Sequence, residues 1–204
     1  MSALIDVIAS MIFSGALFVI VLDANGLATE TQMVYNGDQM VQQMLTTTAQ
    51  LVEGELRNVG YGVPSTVSNI TQGDSSSITF LSDIDRDGVV DTVRYFIGPV
   101  DELNSTPNEL DRYLKRTVRN QGTSNVGVVT VFHLKYFTRA GDTIQIPVPS
   151  TRLPEIFTVE LTMEVQNPAA PYRDQNMVKE GERNALYSNS LWQQTRLASQ
   201  NNRR

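Results

Sequence analysis

The first 22 residues form an apolar run with a single charged side chain. MSALIDVIASMIFSGALFVIVL contains Asp6, and the first basic residue of the chain is Arg57. A run of about 20 apolar residues can cross a bilayer as a helix. Because the basic flank of a signal peptide and a good cleavage site are both missing, we expect a retained membrane helix.

A second helical pattern follows this run. Apolar residues recur at steps of three and four, which predicts an amphipathic helix with one apolar stripe. The stripe comprises Met33, Val34, Met40, Val41, Met44, Leu45, Leu51, Val52, Leu56 and Val59, and the pattern ends at Gly60 to Pro64. If both patterns belong to one helix, loosened near Gly15 or Asn25-Gly26, it is roughly 85–90 Å long, and half of it must project.

After residue 62 the period changes to that of strands. Residues 77–82, 91–98, 110–118, 126–137 and 155–165 alternate, and residues 143–148 form a short, proline-limited edge candidate. The last long run has one apolar and one polar face, which indicates a half-buried antiparallel sheet. The polar residues from 167 onward suggest an extended arm that lies along the surface and ends in a short helix.

The predicted fold is therefore α+β, a long N-terminal helix packed on an antiparallel β-sheet head with an extended polar C-terminal arm. Residues 1–24 form its apolar helix and residues 25–61 the amphipathic half. The head comprises residues 62–166 and the arm residues 167–204.

The amino-acid composition excludes several kinds of functional site. The chain has 204 residues, a net charge of −6 and no cysteine, which excludes disulfides, thiolate zinc sites and cysteine nucleophiles. The acidic balance disfavours nucleic-acid binding. A single histidine, His133, cannot build a triad or a three-histidine metal site, and Glu160 and Glu164 lie on what reads as a solvated strand face. We expect no enzymatic activity.

One acidic loop has the spacing of a metal site. Asp83, Asp85, Asp87 and Asp91 occupy positions one, three, five and nine of a calcium-loop pattern, with Gly88 at position six. Position twelve is Arg94 rather than the usual bidentate glutamate. The loop therefore predicts either a weak calcium site or an Asp-Gly hairpin turn that needs no ion. No other cofactor is expected.

The order of these elements resembles the type IV pilin superfamily, including type II secretion pseudopilins. Ser2-Ala3-Leu4-Ile5-Asp6 is similar to the family's mature N-terminus, which carries an acid at its fifth position, although here the acid is aspartate. GELRNVGYGVP and ITFLSDIDRDGVVDTVRYFIG are similar to blocks of large minor pilin-like subunits. Only Met1 precedes Ser2, so either the numbering starts after processing or the family's peptidase is not used.

The resemblance implies a structural subunit of a helical filament. It places Asp6 opposite the N-terminal amine of an adjacent subunit, with Ser2, Leu4, Ile5 and Ile8 in the apolar filament core and Gly15 where the helix loosens on assembly. The implied partners are copies of the chain, the bacterial inner membrane before assembly, and pilus or secretion assembly machinery. The implied final location is an extracellular or cell-surface filament.

Elementary electrostatics agrees with that role for Asp6, because a carboxylate in an apolar core costs several kcal/mol unless a close cation neutralises it. The alternative is a monomeric, membrane-anchored surface module that binds calcium or glycan. In that case Asp6 lies at the level of the lipid headgroups.

Overall fold

The computed structural model describes residues 2–103, 106, 108, 110–119, 121–167, 190–199 and 201. A single helix, α1, spans Ser2–Arg57, which is about 84 Å at 1.5 Å per residue. It passes without interruption through Gly15 and Gly26, because a glycine inside a helix costs only about 1 kcal/mol relative to alanine. The long helix predicted from the two patterns is confirmed.

The head contains two antiparallel sheets. The first is a meander in which each strand pairs with the next, in the order β1-β2-β3-β4-β5. The second has the order β7-β6-β8-β9. The strands of the first sheet are β1 Ile70–Gly73, β2 Ser77–Ser82, β3 Asp91–Ile97, β4 Arg112–Val118 and β5 Gly122–Val129. Those of the second are β6 Val131–Phe137, β7 Thr143–Ile144, β8 Thr158–Gln166 and β9 Ser190–Ala198. The α+β class and the edge position of β7 agree with the sequence prediction.

The alternating run at 126–137 is two strands rather than one. The chain leaves the first sheet at Thr130, whose backbone N–H donates to Glu164 O at 2.9 Å. The Thr130 hydroxyl donates to the same oxygen at 3.2 Å. β5 pairs with β4, whereas β6 pairs with β8. Alternation continues across Thr130, so the sequence period gives no sign of the change of sheet.

The end of the predicted arm is a strand, and the expectation of a short helix there is wrong. β9 pairs with β8 along nine positions, from Thr158 opposite Ala198 to Gln166 opposite Ser190. Its inward-facing Leu197 is 4 % exposed, but Trp192 is 67 % exposed. Four consecutive polar residues, 193–196, lie between these two side chains, so the strand lacks a clear apolar alternation. The part of the predicted arm at 168–189 lies outside the described residues.

The second half of α1 covers the head. Its apolar stripe packs on β5, β8 and β9 and joins one core cluster with side chains of both sheets. The buried apolar residues on this face of α1 are Val41, Leu45, Ala49, Val52 and Leu56. Gly127 of β5 lies so close to the helix that a Cβ there would overlap the Thr48 side chain. The missing side chain at Gly127 therefore lets the helix approach the sheet.

Candidate assembly helix and acidic loop

The first part of α1 exposes its apolar side chains on every side. We call residues 4–36 the projecting segment. Each large apolar side chain between Leu4 and Leu22 is at least 49 % exposed, with Phe13 at 71 %. The exposed set is Leu4, Ile5, Val7, Ile8, Met11, Ile12, Phe13, Leu17, Phe18, Val19, Ile20, Val21 and Leu22. Such a surface is stable only when lipid or protein covers it.

The residues assigned to assembly lie within or next to this segment. Asp6 is exposed and, among the described residues, forms no ion pair. Leu4, Ile5 and Ile8 flank it on the helix surface, and Ser2 begins the helix. A Cβ at Gly15 would have no atom within 4 Å, so an isolated subunit has no steric need for that glycine.

Two glutamates fix the other end of the helix to the head. Glu55 accepts hydrogen bonds from Tyr95 Oη at 2.6 Å and from Arg116 Nε at 3.0 Å, and its second oxygen lies 2.7 Å from Arg116 Nη2. Glu53 Oε1 accepts from Thr195 Oγ1 at 2.7 Å and from Gln193 Nε2 at 2.8 Å. The helix is thereby bound to β3, β4 and β9.

The sequence pattern did not reveal these glutamates. Glu53 reads as a solvated position beside the apolar stripe, and Glu55 adjoins Leu56 without any distinguishing spacing. Their partners come from strands 40 to 142 residues away in the chain. A period along the helix shows which face is apolar, but not which polar residues at the border of that face meet a partner.

The acidic loop, residues 83–91, connects β2 to β3. Asp83, Asp85 and Asp87 each place a carboxylate oxygen within 4.8 Å of the others. Asp91 is outside that group, and its Oδ2 accepts a hydrogen bond from the Ile84 N–H at 3.4 Å. The loop thus brings together three of the four predicted ligands.

Hydrogen bonds within the loop hold these carboxylates in place. Asp83 Oδ2 accepts from the Gly88 N–H at 3.1 Å. Asp85 Oδ1 accepts from the Asp87 N–H at 3.3 Å, and Asp87 Oδ1 accepts from the Val89 N–H at 2.7 Å. Asp83 is only 8 % exposed, and its Oδ1 is buried without a hydrogen-bond partner. Three oxygens suited to a hard cation are therefore gathered on one short turn.

The strand glutamates do not form a carboxylate pair. Glu160 is 2 % exposed and binds Arg196 Nε at 2.6 Å, with Lys135 Nζ at 3.6 Å. Burial alone would raise the pKa of Glu160, but hydrogen bonds from Arg196 and Gln194 and the charges of Arg196 and Lys135 hold it below its usual value. The expectation that this position faces solvent is wrong, because the two long basic side chains cover it.

Glu164 and His133 are strand residues of the second sheet, in β8 and β6. Glu164 accepts a hydrogen bond from Gln166 Nε2 at 2.8 Å. His133 lies half-buried in β6 opposite Thr162 of β8. In the described part of this sheet, the residues directly opposite them (Thr162 for His133, Val131 and Trp192 for Glu164) are neither acids nor bases.

No protein-family model matches the chain, and searches of curated proteins and of solved structures give no match either. The long apolar helix packed on antiparallel sheets is compatible with a pilin-like fold. Among the described residues, α1 is the one helix long and apolar enough to cross a membrane, a description that a membrane anchor and a signal sequence both satisfy.

Proposed function

We propose that this chain is a structural subunit of a pilin-like helical filament. The projecting segment forms the apolar filament core, the second half of α1 connects core to head, and the two sheets form the outer shell. Burial of apolar side chains against copies of themselves supplies the driving force. The resemblance of the chain's first residues to mature pilins suggested this role, and the exposure pattern of α1 supports it.

The observation that carries the proposal is that exposed apolar residues continue beyond the length of a bilayer. A hydrocarbon core about 30 Å thick is crossed by about 20 helical residues. Leu27, Met33, Tyr35 and Met40 lie beyond that length and are 66, 46, 60 and 47 % exposed. A simple anchor leaves these side chains in water, whereas packing against neighbouring helices buries them.

Asp6 fits the same arrangement. On the subunit's own helix the first basic side chain, Arg57, is roughly 75 Å away at 1.5 Å per residue. In a filament core, the proposed partner of the Asp6 carboxylate is the terminal amine of an adjacent subunit. That pairing offsets the desolvation of both groups and fixes the axial offset between neighbouring helices.

The competing function is a membrane-anchored module that acts as a monomer, and the length of α1 alone favours it as much as it favours a filament. Electron microscopy of material sheared from the producing cells, with the chain identified by antibody labelling, separates the two. We expect labelled filaments. A chain found only in the membrane fraction, with no labelled filament, overturns the proposal in favour of the anchored module.

The role of Asp6 is tested by Asp6→Ala, with Asp23→Ala as the matched control. Both changes remove an exposed acid from α1, but Asp23 lies at the far end of the apolar run. We expect Asp6→Ala to abolish filaments and Asp23→Ala to retain them, with circular dichroism showing a folded head in both. Unchanged filaments with Asp6→Ala contradict the pairing.

A further inference from the structure

The acidic loop concentrates negative charge without a basic partner. Arg86, the basic residue of the loop, stacks over the Tyr61 ring at 5.9 Å instead. Among the described residues, no lysine or arginine forms an ion pair with Asp83, Asp85 or Asp87. Three carboxylates this close repel one another, and a bound cation removes that repulsion.

We propose that the acidic loop binds one calcium ion through a carboxylate oxygen from each of Asp83, Asp85 and Asp87. Two oxygens bound to the same calcium ion, each at about 2.3–2.6 Å from it, lie up to about 5 Å apart. The separations of at most 4.8 Å between the three oxygens fit that limit. Bound calcium stabilises the connection between α1 and the head.

The buried carboxylate of Asp83 points to a ligand independently of the spacing. The side chain is more than nine-tenths buried, and the bond from Gly88 N–H to Oδ2 turns the carboxylate into the loop. Its other oxygen, Oδ1, has no partner within the described part of the chain. A buried, unsatisfied carboxylate oxygen is unfavourable, and a cation bound in the loop satisfies it.

The ligand set predicts a weak site. Three carboxylates supply fewer ligands than the six to eight oxygens calcium prefers, so water and backbone carbonyls complete the shell. Arg94, in place of the bidentate glutamate, lies over the Phe96 ring at 4.8 Å. We expect a dissociation constant of about 0.1–1 mM, the range of extracellular calcium modules, and weaker binding of magnesium, which gives up its water reluctantly.

The loop and the end of β2 are hydrogen-bonded to the turn that follows α1. The Asp83 N–H donates to Tyr61 O at 2.9 Å, and the Gly60 N–H donates to Leu81 O at 2.8 Å. Ser82 Oγ donates to Asn58 O at 2.9 Å. A ligand that fixes Asp83 therefore also restrains residues 58–62, where the helix gives way to the head. Calcium binding at this loop does not require filament formation.

The test uses the full chain in detergent, stripped of metal with EDTA and then titrated with calcium chloride up to about 10 mM, ten times the weak end of the expected range. The melting temperature of the head is followed by circular dichroism. We expect a rise of about 3–6 °C at ten times the dissociation constant. Amide exchange in residues 58–63 should slow in parallel. Magnesium chloride should give a smaller rise.

The discriminating variant is Asp85→Asn with Asp87→Asn. Both side chains are exposed, and asparagine retains the Oδ1 acceptors that close the loop, so the head should fold. The calcium shift should become much smaller in this variant, because the two amide oxygens can still bind calcium but two negative charges are lost. The shift should be unchanged in Asp142→Asn, which removes one exposed charge from another turn. Absence of a shift in the native chain, an undiminished shift in the double variant, or loss of the shift in Asp142→Asn each overturns the proposal.

Discussion

Tyr95 donates its phenolic hydrogen to Glu55 at 2.6 Å, joining the centre of the first sheet to the helix 40 residues before it. Burial raises the pKa of Tyr95, and the neighbouring Glu55 charge raises it further, so the hydroxyl stays a donor at any physiological pH. Arg116 binds the same carboxylate and offsets its charge. Glu55 is thus the main polar connection between α1 and the first sheet.

Replacing Glu55 should loosen this connection. Glu55→Ala leaves the buried Tyr95 hydroxyl and the Arg116 guanidinium without their shared acceptor. We expect the free energy of unfolding to fall by about 2 kcal/mol, the usual size for hydrogen bonds to a charged group. Urea unfolding of the detergent-solubilised chain measures it. Asp142→Ala, at an exposed turn, should change stability by less than about 0.5 kcal/mol. Equal losses in the two variants contradict the role given to Glu55.

The close approach at Gly127 predicts a steric effect that a second substitution relieves. Gly127→Ala places a methyl group against Thr48, which is 3 % exposed and cannot easily move. We expect a loss of about 1–3 kcal/mol, as for other overpacked cores. Thr48→Ala in the same chain should recover part of it.

A double-mutant cycle from four unfolding curves gives the coupling between these two positions. If Gly127→Ala and Thr48→Ala prove additive within about 0.5 kcal/mol, the contact does not limit the approach of the helix.

The ion pairs of Glu160 predict a pH dependence. The pKa of this carboxyl is lower in the folded chain than its ordinary value of 4.5, so the unfolded chain binds more protons in that range. The stabilisation is therefore present above about pH 4.5 and is lost as the pH falls through the folded-state pKa. Glu160→Gln removes it.

Melting temperatures of the native chain and Glu160→Gln should differ at pH 7 and converge at acidic pH. At pH 7 we expect the free energy of unfolding of the native chain to exceed that of Glu160→Gln by about 1 kcal/mol. The difference is small because Arg196 and Lys135 are 64 and 48 % exposed, so solvent screens their charges. If the difference in stability between the two chains stays constant from neutral to acidic pH, the ion pairs are not its cause.

The sequence predicted helices and strands well where apolar residues recurred with a single period, that of a helix or that of a strand. The stripe from Val41 to Leu56 identified the side of α1 that meets the sheets, and alternation located most strands. The same stripe includes Met33 and Met40, which stay exposed because the sheets cover only the last turns of the helix. Periodicity gives the orientation of a helix face but not the length over which the partner extends.

What the sequence missed depends on contacts between distant segments. Glu160 alternates with threonines, yet Arg196 from β9 and Lys135 from β6 cover it. The bond of Asp91 to the Ile84 amide is also invisible in a spacing pattern that treats all four loop aspartates alike. The proximity of Asp83, Asp85 and Asp87, by contrast, follows from a short turn and could be predicted.

The place of β9 has a consequence for biosynthesis. Thr195 of this strand bonds to Glu53 of α1 across 142 residues of chain, so the helix leaves the ribosome well before the strand that covers part of it. Contacts this far apart form slowly, since a large loop must close before they contribute. Until β9 arrives, the stripe of α1 lacks part of its cover and the edge of β8 is open. During synthesis the nascent head is therefore incompletely covered, and open to aggregation and proteolysis, until residues 190–198 have emerged.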